Sequence, residues 1–225
     1  MSQLQTPVKI PSPGFAINYL DSLFLLGSCF AENIGLKLYE HKFNCQVNPF
    51  GVLYNPASIA QSIQSLMHRT EYTKDDLLKH NNIWLSFDHY TLFSKPDEKE
   101  CLEGINKSFN LAKNKLKQAK TLILTFGTSA VYRFKKTGRI VSNCHKIPAN
   151  EFERSFLSSD EIVDTLLPVL DKLLNTSPEL KIIVTISPIR HWKDGAIENM
   201  RSKASLILAI KQLEQKLSKL YYFPV

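Results

Sequence analysis

The sequence predicts a three-layer α/β domain, a mainly parallel sheet with helices on both faces. Three observations carry this. The short apolar runs at 23–26, 121–126 and 181–187 lack polar alternation and read as strands buried on both sides. Between them lie longer stretches with an apolar residue at every third or fourth position, which is helical spacing. The two kinds alternate, and a β-α-β-α rhythm calls for parallel strands joined by helical crossovers.

Each element has its own justification. Residues 23–26 run into Gly27, so a strand feeds a turn, and 29–42 carry Phe30, Ile34 and Leu38 on one helical face. Gln46-Val47 is a short strand before the turn Asn48-Pro49-Phe50-Gly51. Asn55-Pro56 opens a helix, Asn as cap and Pro at the first helical position, with Ile59, Ile63, Leu66 and Met67 as its stripe. The aromatic stretch 81–94 reads as a loop or short hairpin. Leu102, Ile105, Phe109, Ala112 and Leu116 mark a long helix, and 121–126 is the strongest strand, stopped by Gly127. Lys136-Thr137-Gly138 is the turn of a hairpin over 132–140. Ser158-x-x-Glu161 is a capping box for a helix that Pro168 should kink or break. After the strand at 181–187, a last helix carries Leu206, Ile210, Leu213, Leu217 and Leu220, and a strand begins at Tyr221.

The chain has 225 residues, 44% hydrophobic and 22% charged, with 8 Gly and 11 Pro; this excludes disordered, collagenous and coiled-coil classes and suits a single domain over 1–225. The net charge of +7 is spread along helix-like segments, as in Lys113, Lys115, Lys117 and Lys120, so it reads as a solvated face and not a nucleic-acid surface. The apolar runs are too short to span a bilayer and no secretory signal opens the chain, so a cytoplasmic protein without a membrane partner is expected. Cys29, Cys45, Cys101 and Cys144 then read as reduced thiols. His41-x-x-x-Cys45 and Cys144-His145 lack the pairing of a zinc site, and there is neither a phosphate loop nor Gly-x-Gly-x-x-Gly, so no metal or cofactor is expected. No feature bears on oligomeric state.

In parallel sheets chemistry sits at the C-terminal strand ends, and the polar clusters fall there. Gly27-Ser28-Cys29 lies where a strand becomes a helix. Ser28 or Cys29 is a candidate nucleophile, since a helix N-terminus lowers a thiol pKa and offers N–H groups to an oxyanion. The same residues suit a structural role, with Ser28 capping the helix and Cys29 in the core, and residue types alone leave both open. In Asn143-Cys144-His145-Lys146, His145 suits a base, Asn143 an oxyanion donor and Lys146 an anion clamp, against a loop whose polar groups bond to backbone. Arg190-His191 suits anion binding or a base. Asp88-His89 suits an acid–base pair, against a turn residue beside a histidine in an aromatic site.

The octapeptide Leu26-Gly27-Ser28-Cys29-Phe30-Ala31-Glu32-Asn33 resembles the name-giving motif of the bacterial GSCFA family. Further matches follow in family order: 48–56 (Asn-Pro-Phe-Gly-Val-Leu-Tyr-Asn-Pro), Ser86-Phe87-Asp88-His89, Gly127-Thr128-Ser129-Ala130-Val131-Tyr132, Asn143-Cys144-His145-Lys146 and Ser187-Pro188-Ile189-Arg190-His191. That family looks like a branch of the SGNH hydrolases, flavodoxin-like esterases and acyl hydrolases. The resemblance therefore implies action on an ester of a sugar or another small alcohol, or a non-catalytic binding or accessory protein that keeps the fold. Against the Gly-Asp-Ser block, Cys29 falls on the nucleophile, and a slip of one residue makes it Ser28. Gly51, preceded by Asn48, falls on an oxyanion glycine, and Gly127 opens a block whose oxyanion Asn is replaced, with Asn143 as substitute. The family's C-terminal Asp-x-x-His has no counterpart before Val225, so the chain reads as C-terminally incomplete, with His145 or His191 left to serve as base.

Overall fold

The computed structural model describes residues 13–190 and 192–224, the Trp192 side chain excepted. Five parallel strands form the central sheet: β1 (Ser22–Gly27), β2 (Asn44–Val47), β5 (Thr121–Phe126), β9 (Lys181–Ile186) and β10 (Leu220–Tyr222). Their order is β2-β1-β5-β9-β10. Counted along the chain this is 2-1-3-4-5, the flavodoxin-like doubly wound order. The remaining strands are β3 (Leu78–His80) with β4 (Ile83–Leu85), and β6 (Ala130–Phe134) flanked by β7 (Arg139–Val141) and β8 (Phe152–Phe156) in an antiparallel sheet.

The helices are α1 (Cys29–Glu40), α2 (Pro56–His68), α3 (Glu98–Gln118), α4 (Ser159–Thr176) and α5 (Gly195–Lys216). Strand alternation sorts the core. Phe24, Leu26, Leu122, Leu124, Phe126, Ile182, Val184 and Ile186 pack with the buried stripes of α2, α3, α4 and α5 in one continuous cluster. Leu23 and Leu25, equally buried, point to the other face, where α1 lies against β1 and β2. Right-handed crossovers require this split, because only the step from β1 to β2 runs toward that edge of the sheet. Caps fix where helices start: Asn55 Oδ1 accepts from Ser58 N at 2.8 Å, and Ser158 and Glu161 form the reciprocal capping box.

Four expectations change. The hairpin begins at Leu78, not at 81, and turns on Asn81 and Asn82, both at positive φ, as a two-residue primed turn demands. Strand β8 was not legible: Glu153-Arg154-Ser155 is polar and exposed, and only Phe152 and Phe156 mark the inward side. Helix α4 runs unbroken through Pro168, which is exposed, so the carbonyl it frees one turn back, on exposed Asp164, faces water. Helix α5 stops at Lys216. Leu217 caps it and Leu220 starts β10, because β10 must turn back beside β9.

Gly27 sits where β1 and β5 close up. A Cβ built on it would lie 2.3 Å from the Thr125 carbonyl oxygen, and its φ of +148° is open only to glycine. Gly27→Ala should therefore destabilise the fold by roughly 3 kcal/mol or more, read as a lower urea midpoint, since the obstacle is backbone and has no rotamer to yield.

Candidate functional site

Parallel strands end along one edge, and the chain leaves β1 and β5 in opposite directions, which makes this point the topological switch of the sheet. The edge is stitched by hydrogen bonds from four segments. Ser28 N donates to Thr125 O at 3.1 Å, Leu53 N to Gly27 O at 2.8 Å, and Gly127 N and Thr128 N both donate to Tyr54 O, at 2.8 and 3.1 Å. Gly27 N donates to Asn48 Oδ1 at 2.9 Å. Asn48 is buried at positive φ, and the Nδ2 of the same amide has no partner among the described residues. Gly51, at φ +80°, donates its N–H to Asn48 O at 2.8 Å, and Tyr90 Cβ lies 2.1 Å from where its own Cβ would stand. The N–H groups of Gly51 and Gly127 are thus engaged within the fold, whereas Asn48 Nδ2 is buried without a partner among the described residues.

Ser28 is 1% exposed and caps α1, its Oγ accepting from Phe30 N at 3.3 Å. Cys29, the first residue of α1, is half-buried and close enough to Tyr54 that a thiolate there raises the phenol pKa, after burial the main cause. The first-turn N–H groups of Cys29 and Ala31 have no intrahelical acceptor, as at every helix start. The helix N-terminus and the Asn48 amide meet at this turn.

The other sequence candidates fall elsewhere. His145 Nε2 lies 2.8 Å from Ser86 O and Nδ1 3.5 Å from Ser94 Oγ, and burial lowers its pKa. Neither contact is to Ser28 or Cys29. Asn143 uses its amide locally, Oδ1 accepting from His145 N at 2.8 Å and Nδ2 donating to Thr91 Oγ1 at 3.3 Å. Asp88 forms an ion pair with Arg139, while His89 lies 3.1 Å from Ser86 Oγ through Nδ1, so the two side chains serve different partners. His89 is enclosed by the rings of Phe50, Tyr72 and Phe93, within 5.1 Å centroid to centroid, and burial drives its pKa down to about 3. Arg190 is exposed past the end of β9, and His191 lies outside the described residues. No three His, Cys, Asp or Glu side chains converge as a metal site among the described residues.

Comparison with known proteins adds one finding. The model of the GSCFA family matches residues 22–225. The chain belongs to the GSCFA family. No curated protein and no solved structure matches it.

In this GSCFA chain the structure adds residues that the sequence reading passed over. Lys203 reaches from α5 into the edge, its Nζ donating to Gly127 O and Ser187 O at 2.6 Å each, and burial pushes its pKa down to about 8. The signal was present, since Lys203 continues the spacing of Leu206, Ile210 and Leu213, and a lysine on an apolar stripe calls for a reason. Beside Tyr54 and Thr128 a cavity of about 290 Å³ opens between the edge and the antiparallel sheet, lined also by Tyr132, Ser142, Arg154 and Lys193. Arg154 Nη2 donates to Asp194 Oδ2 at 2.7 Å. The Lys193 ammonium opposes the burial that pushes the Cys144 thiol up to about 11.

Two measurements follow from these environments. Above pH 6.5 His89 is neutral whether the chain is folded or not. As pH falls toward 3 the unfolded chain takes up a proton that the folded one refuses, so stability declines over that window, by at most about 1.4 kcal/mol per pH unit from this residue. Urea unfolding of His89→Gln should show a flatter acid limb than the parent protein. Secondly, burial raises the thiols of Cys45, Cys101 and Cys144, whereas Cys29 stands at a helix N-terminus. Iodoacetamide with peptide mapping should label Cys29 first; Cys144 reacting ahead of it would show that the helix end does not activate that thiol.

Proposed function

We propose that this GSCFA domain is an SGNH-like acyl hydrolase that cleaves an ester of a sugar or another small alcohol, with Cys29 as nucleophile. The observation that supports it is the turn Gly27-Ser28-Cys29 at the switch point between β1 and β5, beside an Asn48 amide whose buried Nδ2 is unpaired among the described residues. Of the two nucleophile candidates, Ser28 is the more enclosed and its Oγ is committed to capping α1, which leaves the half-buried Cys29. A thiolate at a helix N-terminus needs less help from a base than a serine hydroxyl does.

In the proposed reaction Cys29 Sγ attacks the ester carbonyl carbon. The oxyanion gathers donors from Asn48 Nδ2 and the first turn of α1. The alcohol leaves, taking a proton, and water then releases the acid from the thioester and restores the thiol. Lys203 holds the carbonyls at the ends of β5 and β9 and so keeps this edge in shape. Among the described residues no histidine nitrogen is hydrogen-bonded to Cys29 or Ser28, so proton transfer is the slow part of the cycle.

The second reading, a binding or accessory protein without chemistry, draws on His145, whose ring nitrogens lie against Ser86 and Ser94. Hydrolysis of p-nitrophenyl acetate separates the two. A slow turnover is expected, with Cys29→Ala losing at least about tenfold and Ser28→Ala keeping activity at a stability cost of about 1 kcal/mol for the lost cap. Turnover unchanged in Cys29→Ala would remove it as nucleophile, and none in the parent protein would favour the binding reading.

A further inference from the structure

We propose that the cavity beside Tyr54 and Thr128 is an anion subsite, which takes the carboxylate or phosphate of a small hydroxylated molecule. The inference deepens the reading of this edge as the working end of the fold, and would give the ester substrate a negatively charged group.

The cavity is assembled from segments distant in sequence. Tyr54 comes from the turn before α2, Tyr132 from β6, Ser142 from just past β7, Arg154 from β8, and Lys193 from the turn before α5. Its volume of about 290 Å³ suits a sugar-sized molecule and not a polymer. Two of its lining side chains are cations and five others carry a hydroxyl or amide, so a hydroxylated anion finds partners at several points of a wall that is otherwise largely apolar.

Arg154 is preset for that role. Its guanidinium carbon stands 4.7 Å from the Phe156 ring centroid and 5.5 Å from that of Tyr132, so two aromatic faces limit its movement. Asp194 anchors it, and the pair is asymmetric: the Arg154 side chain is 30% exposed and that of Asp194 8%. The carboxylate orients the guanidinium from the more enclosed side, the Tyr132 side chain takes a further hydrogen bond, and the remaining donors of the five-donor fork are left for a ligand. Lys193 adds a second positive charge on the same wall, for which no carboxylate stands within ion-pair distance among the described residues. Arg154, Lys193 and Asp194 together leave the cavity with one net positive charge, which an entering monoanion neutralises.

Titration with glucuronate, glucose 6-phosphate and glucose at constant ionic strength tests this, followed by calorimetry and thermal unfolding. Glucuronate, glucose 6-phosphate or both should bind and raise the unfolding temperature, whereas glucose should do neither; which anion binds more tightly identifies carboxylate or phosphate as the preferred group. Lys193→Gln, at an exposed position that leaves the fold intact, should weaken binding roughly fivefold, and Arg154→Met should abolish it. Equal binding of glucose, no binding of either anion, or anion binding unaltered in Lys193→Gln would overturn the subsite. The assay reads binding without turnover, and p-nitrophenyl acetate is a neutral ester. Failure of the subsite and failure of the hydrolase reading therefore appear in different experiments.

Discussion

The close approach of β1 and β5 at Gly27 is the constraint on which the rest of the edge depends. With no side chain at Gly27, the Thr125 carbonyl sits where a Cβ would stand, and Ser28 N bonds that same carbonyl. The contact sets the first turn of α1 at the switch point of the sheet. It also lets Asn48 reach across from the end of β2 to the Gly27 N–H, so that one amide braces the turn with its oxygen and keeps its nitrogen unpaired. Bulk at Gly27 would push the two strands apart and take the helix start, the Asn48 amide and the Tyr54 carbonyl out of register together.

The second feature is the antiparallel sheet β7-β6-β8, which leaves the main sheet after Gly127 and returns before α4. It has a small core of its own, Phe134, Val141, Ile147 and Phe152, with Phe87 against two of its rings. It is tied to the main domain where Leu157 N donates to Ser129 O at 3.0 Å and where the Ser202 hydroxyl accepts from Ser129 N at 2.8 Å. This sheet carries Arg154 and Tyr132 to the cavity beside Tyr54 and Thr128. His145 and Asn143 serve the same part of the molecule: their hydrogen bonds hold the loop after β7 against the segment 86–94, which gives these side chains a clear structural role.

The electrostatics of the edge are modestly basic. Lys203 is half-buried against carbonyls, Arg154 is held by Asp194, and Lys193 stands near the Cys144 thiol. The net charge of +7 is spread over the chain, and what concentrates it locally is the Arg154–Asp194 contact, which joins β8 to the turn before α5.

Much of the fold was legible because it rests on short-range rules. Buried strands such as Thr121–Phe126 show as unbroken apolar runs, amphipathic helices as a 3.6-residue stripe, and helix starts as Asn55-Pro56 or Ser158-x-x-Glu161; these place the parallel sheet and put Gly27-Ser28-Cys29 on its C-terminal edge. Strand β8 was not legible, since its middle is polar and only pairing with β6 makes it a strand. The partners of His145, His89, Asn48 and Lys203 were likewise beyond reach, because each contact joins segments whose separation along the chain says nothing of their distance in space. By itself, then, the sequence determined the layers, the strand ends and the residues available there. The tertiary structure decided which of them meet: that Asn48 bonds the Gly27 N–H, that His145 faces Ser86, and that Arg154 and Lys193 share a cavity. Local patterns record how a segment satisfies its own backbone and apolar face, while a site is a convergence of side chains that only the packed sheet brings together.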